Sequence, residues 1–422
     1  MNNISLNRTN AGIPVVTENI KGAISSGFMI AVGTGSRDEE KNTEGISHLL
    51  EHVVFRGTKK RTSLQIAKEM EGTGGEMNAF TSKELTAFYG ITLKEMSNVA
   101  MELVADICVN PLISENDTEL EKKIVLQEIS MWENDPDSYI HKLFAETLWN
   151  GHELSQNEAG DISTVSALTH LDLRKYFEER YKHPNMAVIA CGSVDPAETI
   201  RWAEESFDNI GIGKNIARER PVLTGSAYNF FPRKGDHTYT GIGFHAYPAD
   251  HPDRTALKLL TAILGAGMSS RLFQKLREEK ALVYSIFATI DQNSDAGSMA
   301  AYLSSTENNV MNAISSVAEV FKSVRDEGIK KEELDGARNL VKGATARKME
   351  STDSRLYRMT RTFMLTGKAE PFTNDLSALD NVTEEDIMRV AGDVISSKKL
   401  NIAVYGKKMK ELSKMTIDHI DL

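Results

Sequence analysis

The sequence predicts an α+β protein made of two similar domains of about 200 residues, each a mostly antiparallel sheet with packed helices. Three observations support this prediction: an internal repeat, segments of β-forming residues that alternate with amphipathic helices, and a polar stretch near the middle of the chain. The 422 residues exceed the usual size of one core, and 41% hydrophobic with 26% charged residues is typical of globular proteins. We therefore expect two globular domains joined by a linker.

The internal repeat relates the end of the first half to the end of the second. Thr169 and Asp172 open a predicted helix that leads to an apolar strand ending at Gly192. Thr383 and Asp386 open a second such unit at the same spacing, 214 positions later, and its strand also ends at a glycine. The equal spacing favours duplication, although two generic helix–strand units at coincident positions would share the same few identities.

A linker is predicted between the halves. The segment 209–221 contains glycine, is polar and ends at a proline. We therefore predict a first domain at 1–210, a linker at 211–224 and a second domain at 225–422. A histidine–glutamate motif with metal-binding spacing occurs in the first half alone, so only the first domain is expected to bind a metal.

The first half alternates strand and helix signals up to the repeat. In chain order it shows strands within 12–34, a polar loop at 36–43, a helix around 45–58, a short amphipathic helix at 62–71, β-rich segments at 77–82 and 85–91, and helices at about 93–108 and 117–133. Asp117 is the expected N-cap of the last helix, and glycines close the helix at 62–71. The expected result is a sheet with helices packed on it.

Three polar residues on the helix around 45–58 form the clearest chemical signal. His48 and His52 stand at i and i+4 and Glu51 at i+3, so their side chains leave one face of the helix about one turn apart. Two imidazoles at this spacing can hold one zinc ion, and a neighbouring carboxylate can act on water as a general base. The order H-x-x-E-H inverts the commoner H-E-x-x-H and is the inverzincin signature.

The motif has a plain alternative, a helix that carries two histidines and binds no metal. Three fixed positions arise by accident in roughly two chains in a hundred. The neighbours of the motif are apolar nearly all round the helix, however, which predicts that the helix is buried. A buried helix must satisfy both imidazoles and the carboxylate, and a metal ion does so at once. The residues alone leave the third ligand open among Glu119, Glu121, Glu128 and Glu133 on a later helix.

Charge and cysteine content limit the partners and the compartment. The formal net charge of −11 argues against nucleic acid or an anionic membrane as a partner, and it is compatible with a cationic substrate or with solubility alone. Cys108 and Cys191 lie in apolar runs, so neither a disulfide nor a thiolate site is predicted. Residues 1–8 lack the pattern of a signal peptide, and no apolar run approaches a membrane span. We expect a cytoplasmic protein.

Four motifs occur in order along the chain, and the resemblance that rests on them covers nearly its full length: 48–58 (HLLEHVVFRGT), 74–82 (GGEMNAFTS), the acidic helix at 121–129, and the segment 265–284 with its arginine and tyrosine. Together they resemble the pitrilysin and mitochondrial-processing-peptidase family of zinc endopeptidases, closest to its single-chain prokaryotic members with two domains. The resemblance implies the fold predicted above, with the metal in the first domain and further active-site residues in the second.

The resemblance also implies a role for each candidate residue. His48, His52 and Glu128 would hold one Zn²⁺ per chain, because the family places a glutamate ligand about 75 residues after its second histidine. Glu51 would be the general base for metal-activated water. The other implied roles are support of the metal ligands by Glu121, a substrate-binding edge strand with Asn78, Ala79 and Thr81, and contacts to the substrate and the developing oxyanion by Arg277 and Tyr284.

Several of these residues have ordinary structural interpretations. Glu121 is also a good first-turn acid for a helix dipole, and Arg277 and Tyr284 are also a helix-surface cation and a half-buried strand aromatic. The segment with Asn78 is also an ordinary edge strand protected by polar residues. Only the resemblance favours the functional interpretation of these positions.

The predicted function is a zinc-dependent endopeptidase of the processing-peptidase type that cleaves peptides or flexible segments. In relatives of this size two chains pair, so we expect a homodimer that forms a closed chamber, with the second domain of one chain covering the active domain of the other. Two alternatives remain: a catalytically silent or partner-subunit member that acts as a scaffold, and a purely structural metal site. The intact H-x-x-E-H residues argue against both.

Overall fold

The structure, a computed structural model, describes residues 3–207, 210–223, 225–409, 412, 417 and 420–422. These residues form an α+β fold with two mixed sheets and packed helices, which confirms the predicted fold class. The strands are β1 (Asn3–Arg8), β2 (Pro14–Asn19), β3 (Ser25–Val32), β4 (Glu76–Thr81), β5 (Thr86–Leu93), β6 (Met186–Gly192), β7 (Ala227–Pro232), β8 (His237–Ala246), β9 (Val283–Gln292), β10 (Gly297–Thr306) and β11 (Asn401–Gly406).

Helices connect these strands in both halves of the chain. They are α1 (Ile46–Val54), α2 (Ser63–Gly72), α3 (Ser97–Val109), α4 (Glu115–Asn134), α5 (Pro136–Trp149), α6 (Ile162–Ala167), α7 (His170–Arg180), α8 (Pro196–Phe207), α9 (Arg254–Gly265), α10 (Val310–Glu327), α11 (Lys331–Lys348), α12 (Thr352–Thr366), α13 (Phe372–Asp380) and α14 (Glu384–Val394). A π-helix at Phe273–Glu279 lies between α9 and β9. Within the described ranges, no helix combines the length and the apolar character that crossing a membrane requires.

Unit 1, the first of two compact units, is built around a six-stranded sheet. It contains Met1–Ser130, Gln156–Glu219 and Arg347–Phe372. The strand order is β1-β2-β6-β3-β5-β4, and neighbours are antiparallel except for the parallel pair β2 and β6. Successive strand residues point to opposite faces, so Val188 packs with Leu50 on the face that α1, α3 and α8 cover. Ile189 packs with Leu356 and Met359 of α12 on the other face.

Unit 2 repeats this arrangement with one strand fewer. It contains Met131–Ser155, Arg220–Ala346 and Thr373–Leu422. The strand order is β7-β11-β8-β10-β9, again with one parallel pair, β7 and β11. One face packs on α9, α10 and α14 through residues such as Phe244 and Ile402. The other face packs on α5 through Phe144, whose ring lies 5.6 Å from that of Tyr302.

The predicted repeat is visible in both units. Thr169 and Asp172 close a capping box at the start of α7, with backbone-to-side-chain bonds of 2.9 and 3.3 Å. Thr383 and Asp386 close the same box at α14, at 3.0 and 3.2 Å. The strands that follow, β6 and β11, each lie between a parallel neighbour and an antiparallel neighbour.

The compact units differ from continuous domains at 1–210 and 225–422. The segment 131–155, with α5, comes from the first half of the sequence but packs on the sheet of unit 2. The segment 347–372, with α12, comes from the second half but packs on the sheet of unit 1. Each half therefore gives one helix to the sheet of the other half, and an amphipathic pattern shows only that a helix has a buried face, not which sheet covers it. The change from unit 1 to unit 2 near the middle of the chain falls after Glu219, within the predicted linker.

Two helix boundaries and one strand also differ from the predictions. α4 begins at Glu115 rather than after Asp117, because Ser114 Oγ accepts the N–H of Asp117 at 3.1 Å and closes the first turn. α3 begins at Ser97 rather than near Leu93, since Leu93 still pairs with β3. Strand β1 was not predicted, and it pairs along its whole length with β2.

Candidate metal centre

Helix α1 positions the motif with its apolar side in the core of unit 1. Leu49, Leu50 and Val53 are buried, and they hold the helix against the sheet and α7. His48 and His52 leave the opposite side, with ring centroids 4.7 Å apart and side chains about one-fifth exposed. The predicted one-turn spacing therefore brings two partly exposed imidazoles side by side on a buried helix.

Glu128 on α4 completes a group of three potential ligands. Its Oε2 atom lies 3.5 Å from His52 Nε2 and 4.0 Å from His48 Nε2. One ligand atom from each of the three residues lies within 4.8 Å of the others, and no second such group of His, Cys, Asp or Glu occurs among the described residues. Of the four glutamates that the sequence left open, the structure brings Glu128 to the two histidines.

This donor set fits zinc. A tetrahedral site with zinc–ligand bonds near 2.0 Å places its ligand atoms about 3.3 Å apart. The distances of 3.5 and 4.0 Å from Glu128 Oε2 to the two imidazole nitrogens are larger than this value, so the side chains would have to move inward to complete the coordination. Two imidazoles and one carboxylate are the ligand set of peptidases that keep a fourth position open. The side chain of Glu128 is 45% exposed, so it can make this movement freely.

Glu121 lies two turns before Glu128 on α4, and it contacts the ring nitrogen of His52 that does not face Glu128. Its Oε2 lies 3.1 Å from His52 Nδ1, which leaves Nε2 free to face Glu128. Glu121 itself is only 5% exposed, and its second oxygen lies 3.4 Å from Arg56 Nε. Arg56 therefore balances the charge of the carboxylate that orients one predicted metal ligand.

Glu51 lies beside the three ligands and is nearly buried. Burial raises the pKa of Glu51, and the hydrogen bond from Thr81 and the proximity of His52 partly oppose this rise. Thr81 Oγ1 donates to Glu51 Oε2 at 2.6 Å, which fixes one oxygen and leaves the other for a reacting proton. A carboxylate with a raised pKa is a better base near neutral pH, so the site can support proton transfer.

His48 is kept neutral by its surroundings. Burial, together with the neighbouring His52, lowers the pKa of His48 to about 4. The neutral ring is the form that binds a metal. In contrast to His52, the inner nitrogen of His48, Nδ1, is buried and has no hydrogen-bond partner within the described part of the chain.

The predicted edge strand is β4, at the end of the sheet next to α1. β4 pairs with β5 on one side and is the last strand of the sheet. Asn78 is exposed and its Oδ1 accepts the N–H of Ala79, while Thr81 points to Glu51. The strand therefore brings an open edge close to the predicted base.

Arg277 and Tyr284 lie in unit 2 and close to each other. The guanidinium carbon of Arg277 is 5.9 Å from the ring centre of Tyr284 and 5.1 Å from that of Phe273. Tyr284 is 77% exposed. The π-helix and the start of β9 therefore present a cation and a phenol together at the surface of unit 2.

One residue of the site, Arg56, was missed from the sequence, and so was the contact of Thr81 with Glu51. Arg56 stands four positions after His52, so its helical spacing was a usable signal. Thr81 was predicted as a substrate-binding residue, but its hydrogen bond to Glu51 joins positions 30 residues apart and has no local sequence signal.

Comparison with known proteins gives the family of this chain and agrees with its fold. A helix with H-x-x-E-H and a third carboxylate in reach defines the inverzincin class of metal-dependent peptidases. The model of the insulinase family, peptidase family M16, matches residues 14–161, and the model of the peptidase M16 inactive domain matches residues 167–341. The chain belongs to peptidase family M16.

Individual relatives extend over nearly the whole chain. A protein of Mycobacterium leprae named an uncharacterized zinc protease is 32% identical over 400 residues, which are 94% of this chain and 90% of the relative. A peptidase M16 inactive domain from Pseudomonas fluorescens has a TM-score of 0.89 at 17% identity, covering 96% of this chain and 98% of that one. A protease from Helicobacter pylori has a TM-score of 0.89 at 20% identity, covering 96% and 100%. The family and the name of the relative support a zinc-dependent peptidase, and the solved structures show the shared fold.

Proposed function

We propose that this protein is a zinc-dependent endopeptidase that cleaves peptides or flexible polypeptide segments. The observation that supports it most is the convergence of His48, His52 and Glu128 with Glu51 beside them. One zinc ion per chain, held by the first three residues, would supply a Lewis acid that acidifies water and polarises a carbonyl. A structural site needs no fourth, nearly buried carboxylate, so Glu51 favours catalysis.

Glu51 is proposed to move the proton. Its Oε2 is held by Thr81, and the free oxygen would take a proton from the attacking water and pass it to the departing amine. Glu121 and Arg56 would keep the ring of His52 in one orientation through this step.

An extended peptide is the proposed substrate form. β4 is an edge strand, and a peptide that adds to it would gain main-chain hydrogen bonds that depend little on sequence. Asn78, Ala79 and Thr81 would line this strand. Folded substrates have no free strand to offer, so flexible segments would be preferred.

Arg277 and Tyr284 are proposed to complete the site in a homodimer, where the second unit of one chain covers the first unit of its partner. Their exposure and proximity suit a pair that binds a carbonyl or its developing oxyanion. The closed homodimeric chamber and a cytoplasmic location both stay predictions.

The central experiment compares the wild type with Glu51→Gln. We expect zinc content near one per chain in both proteins, and cleavage of a quenched peptide that falls about 100- to 10,000-fold in the variant, the range of general-base catalysis. Glu44→Gln is a suitable control, since it removes a carboxylate just before the same helix. If Glu51→Gln cleaves as fast as the wild type, Glu51 is not the base.

A mixing experiment tests the shared site. Glu51→Gln and Arg277→Ala chains are each expected to be inactive, and exchanged mixtures are expected to regain part of the wild-type activity. Tyr284→Phe tests whether the phenol adds to the arginine. An exchanged mixture with no recovered activity would exclude a site built from two chains.

A scaffold without activity is the second candidate. The name of the inactive-domain model refers to residues 167–341, where the zinc motif is absent, while all predicted ligands lie in the part matched by the insulinase model. Zinc binding without cleavage of any flexible peptide by the wild type would favour this second function.

A further inference from the structure

The two histidines of the site are supported in different ways. His52 is held through its ring by Glu121 at 3.1 Å. His48 has no such contact: its Nδ1 is buried and lacks a hydrogen-bond partner in the ranges that the structure describes. The place of the His48 ring therefore depends on the backbone that holds it, the first turn of α1.

That first turn lacks a side-chain cap of its own. The N-cap residue is Gly45, in a left-handed conformation with φ of 92°, and it has no side chain to accept the free N–H groups of the helix. Alanine in its place would also meet Ala159 O at 2.7 Å, so the position admits only glycine. The acceptors must come from elsewhere in the chain.

Glu39 supplies them from the loop before the helix. Its Oε2 accepts the N–H of Gly45 at 2.7 Å and its Oε1 accepts the N–H of Ser47 at 2.8 Å. Glu39 is only 5% exposed, and the N-terminus of a helix favours a carboxyl group at this place. Both carboxyl oxygens of Glu39 therefore accept hydrogen bonds from the turn that ends at His48.

A chain of hydroxyl groups ties the same turn to the sheet. Ser47 Oγ lies 2.7 Å from the hydroxyl of Tyr176, and that hydroxyl lies 2.8 Å from Thr34 Oγ1. All three residues are buried. The turn is therefore held from the loop by Glu39 and from α7 and the end of β3 by Tyr176 and Thr34.

We propose that Glu39 is the positioning residue of His48, the counterpart of Glu121 at His52. It acts through the backbone rather than through the ring, by fixing the first turn of α1 and with it the distance from His48 to Glu128. The inference rests on the proposed zinc site, and it adds a residue that touches neither the metal nor the substrate.

Metal affinity and the spectrum of bound cobalt test the proposal on the full-length protein. Zinc affinity is measured by competition with a chromophoric chelator, and the visible spectrum of the Co²⁺ form reports the geometry of the ligands. For Glu39→Ala we expect zinc affinity to fall about 10- to 100-fold, the range found for residues that orient metal ligands, with an altered cobalt spectrum.

A conservative variant and a matched control separate positioning from folding. Glu39→Gln keeps one acceptor oxygen and replaces the other with an amide group that cannot accept an N–H, so zinc affinity should fall less than in Glu39→Ala, with a smaller change in the cobalt spectrum. Glu84→Gln removes a carboxylate that is 3% exposed and that pairs with Arg37 and Arg218. It should lower the melting temperature and leave zinc affinity unchanged.

The outcomes distinguish this inference from the proposed function. Wild-type zinc affinity and an unchanged cobalt spectrum in folded Glu39→Ala would overturn it. If Glu39→Ala does not fold, Glu39→Gln gives the test, because it keeps the size of the side chain and loses one of the two acceptor oxygens; wild-type zinc affinity and cobalt spectrum in that variant would then overturn the inference. A wild type that binds cobalt but cleaves no peptide would contradict the proposed function and leave the role of Glu39 standing.

Discussion

The two units set a helix against the edge strand of their sheet, but they fill the space between helix and strand differently. In unit 1, α1 meets β4 through the hydrogen bond of Glu51 and Thr81. In unit 2, α9 meets β9 through the backbone of Gly265, where an added Cβ would lie 2.3 Å from the nitrogen of Ala288. The same helix–strand arrangement therefore contains a polar side-chain contact in unit 1 and a close apolar backbone contact in unit 2.

The two helices differ in the residues that they bury. α9 buries Leu257, Leu260 and Leu264 and carries no histidine or acid. α1 must hold two imidazoles and a carboxylate next to its core, and burying such groups costs several kcal/mol, on the order of 2–7 for each polar group without a partner. A bound cation would offset this cost, so we expect a metal to stabilise unit 1 and not unit 2.

Removal of zinc is expected to have the largest effect and to affect only one unit. A ligand present at 100 to 1,000 times its dissociation constant stabilises the folded state by about 2.7 to 4.1 kcal/mol. Amide hydrogen exchange after chelation should therefore rise in α1 and α4 and stay constant in α9 and α10. Equal increases in both units would contradict the assignment of the metal to unit 1.

Closing the contact in unit 2 further should be the next largest effect. Gly265→Ala forces a methyl group against Ala288, and such overpacking costs about 1–3 kcal/mol of unfolding free energy. Gly392→Ala in α14 is the control, since its Cβ meets nothing within 4 Å and should stabilise by about 0.4–1 kcal/mol. Zinc affinity should not change in either variant. A loss of zinc in Gly265→Ala would show that the closed contact also affects the site.

Loss of the hydrogen bond between Thr81 and Glu51 in unit 1 should lower activity and leave the fold intact. Thr81→Val removes the donor to Glu51, and we expect kcat/KM to fall about tenfold, or about 1.4 kcal/mol. The Thr81 bond lowers the pKa of Glu51, so its loss should raise that pKa. As the pH falls, the variant should therefore lose activity at a higher pH than the wild type. Thr92→Val is the control, because Thr92 Oγ1 is buried with no hydrogen-bond partner among the described residues. Equal losses in both variants would exclude a special role for Thr81.

The smallest expected effect is the pH dependence from a buried histidine in unit 2. His245 is 5% exposed, and burial together with Lys399 lowers its pKa to about 4. The unfolded chain therefore binds this proton between pH 6.5 and about 4 while the folded chain does not, so stability falls as the pH falls through that range. His245→Gln should remove about 1 kcal/mol of the loss between pH 6 and 5 in urea unfolding. An unchanged slope would mean that His245 does not titrate on unfolding.

Much of the site could be predicted because its first part is local. The placement of His48, Glu51 and His52 follows from the helical repeat, and the apolar residues between them predict a buried helix. Glu128 follows only from the spacing of the family, because α4 carries several acids and the sequence pattern alone does not distinguish among them. The supports of the site, such as Glu39, depend on how loops from distant positions approach the helix, and this is not encoded in any short pattern.

The local elements of the fold could also be predicted from the sequence, and the placement of two helices could not. Capping residues and apolar strands at equal spacing predict two similar units, since both signals are short-range. The swap of α5 and α12 was not predictable, because the apolar face of a helix fits any sheet of the right size. Strand β1 is also short and at an edge, so its alternation is too brief to recognise in sequence.

The swap of α5 and α12 limits how the gene could be divided. A break in the segment after Glu219 yields two polypeptides, and each carries a helix whose own sheet is encoded by the other. Made separately, the first would expose the sheet face that Leu356 covers and the second the face that Phe144 covers. Fission of the gene at its middle is therefore not expected to give two independently folding products, because neither inherits a complete core.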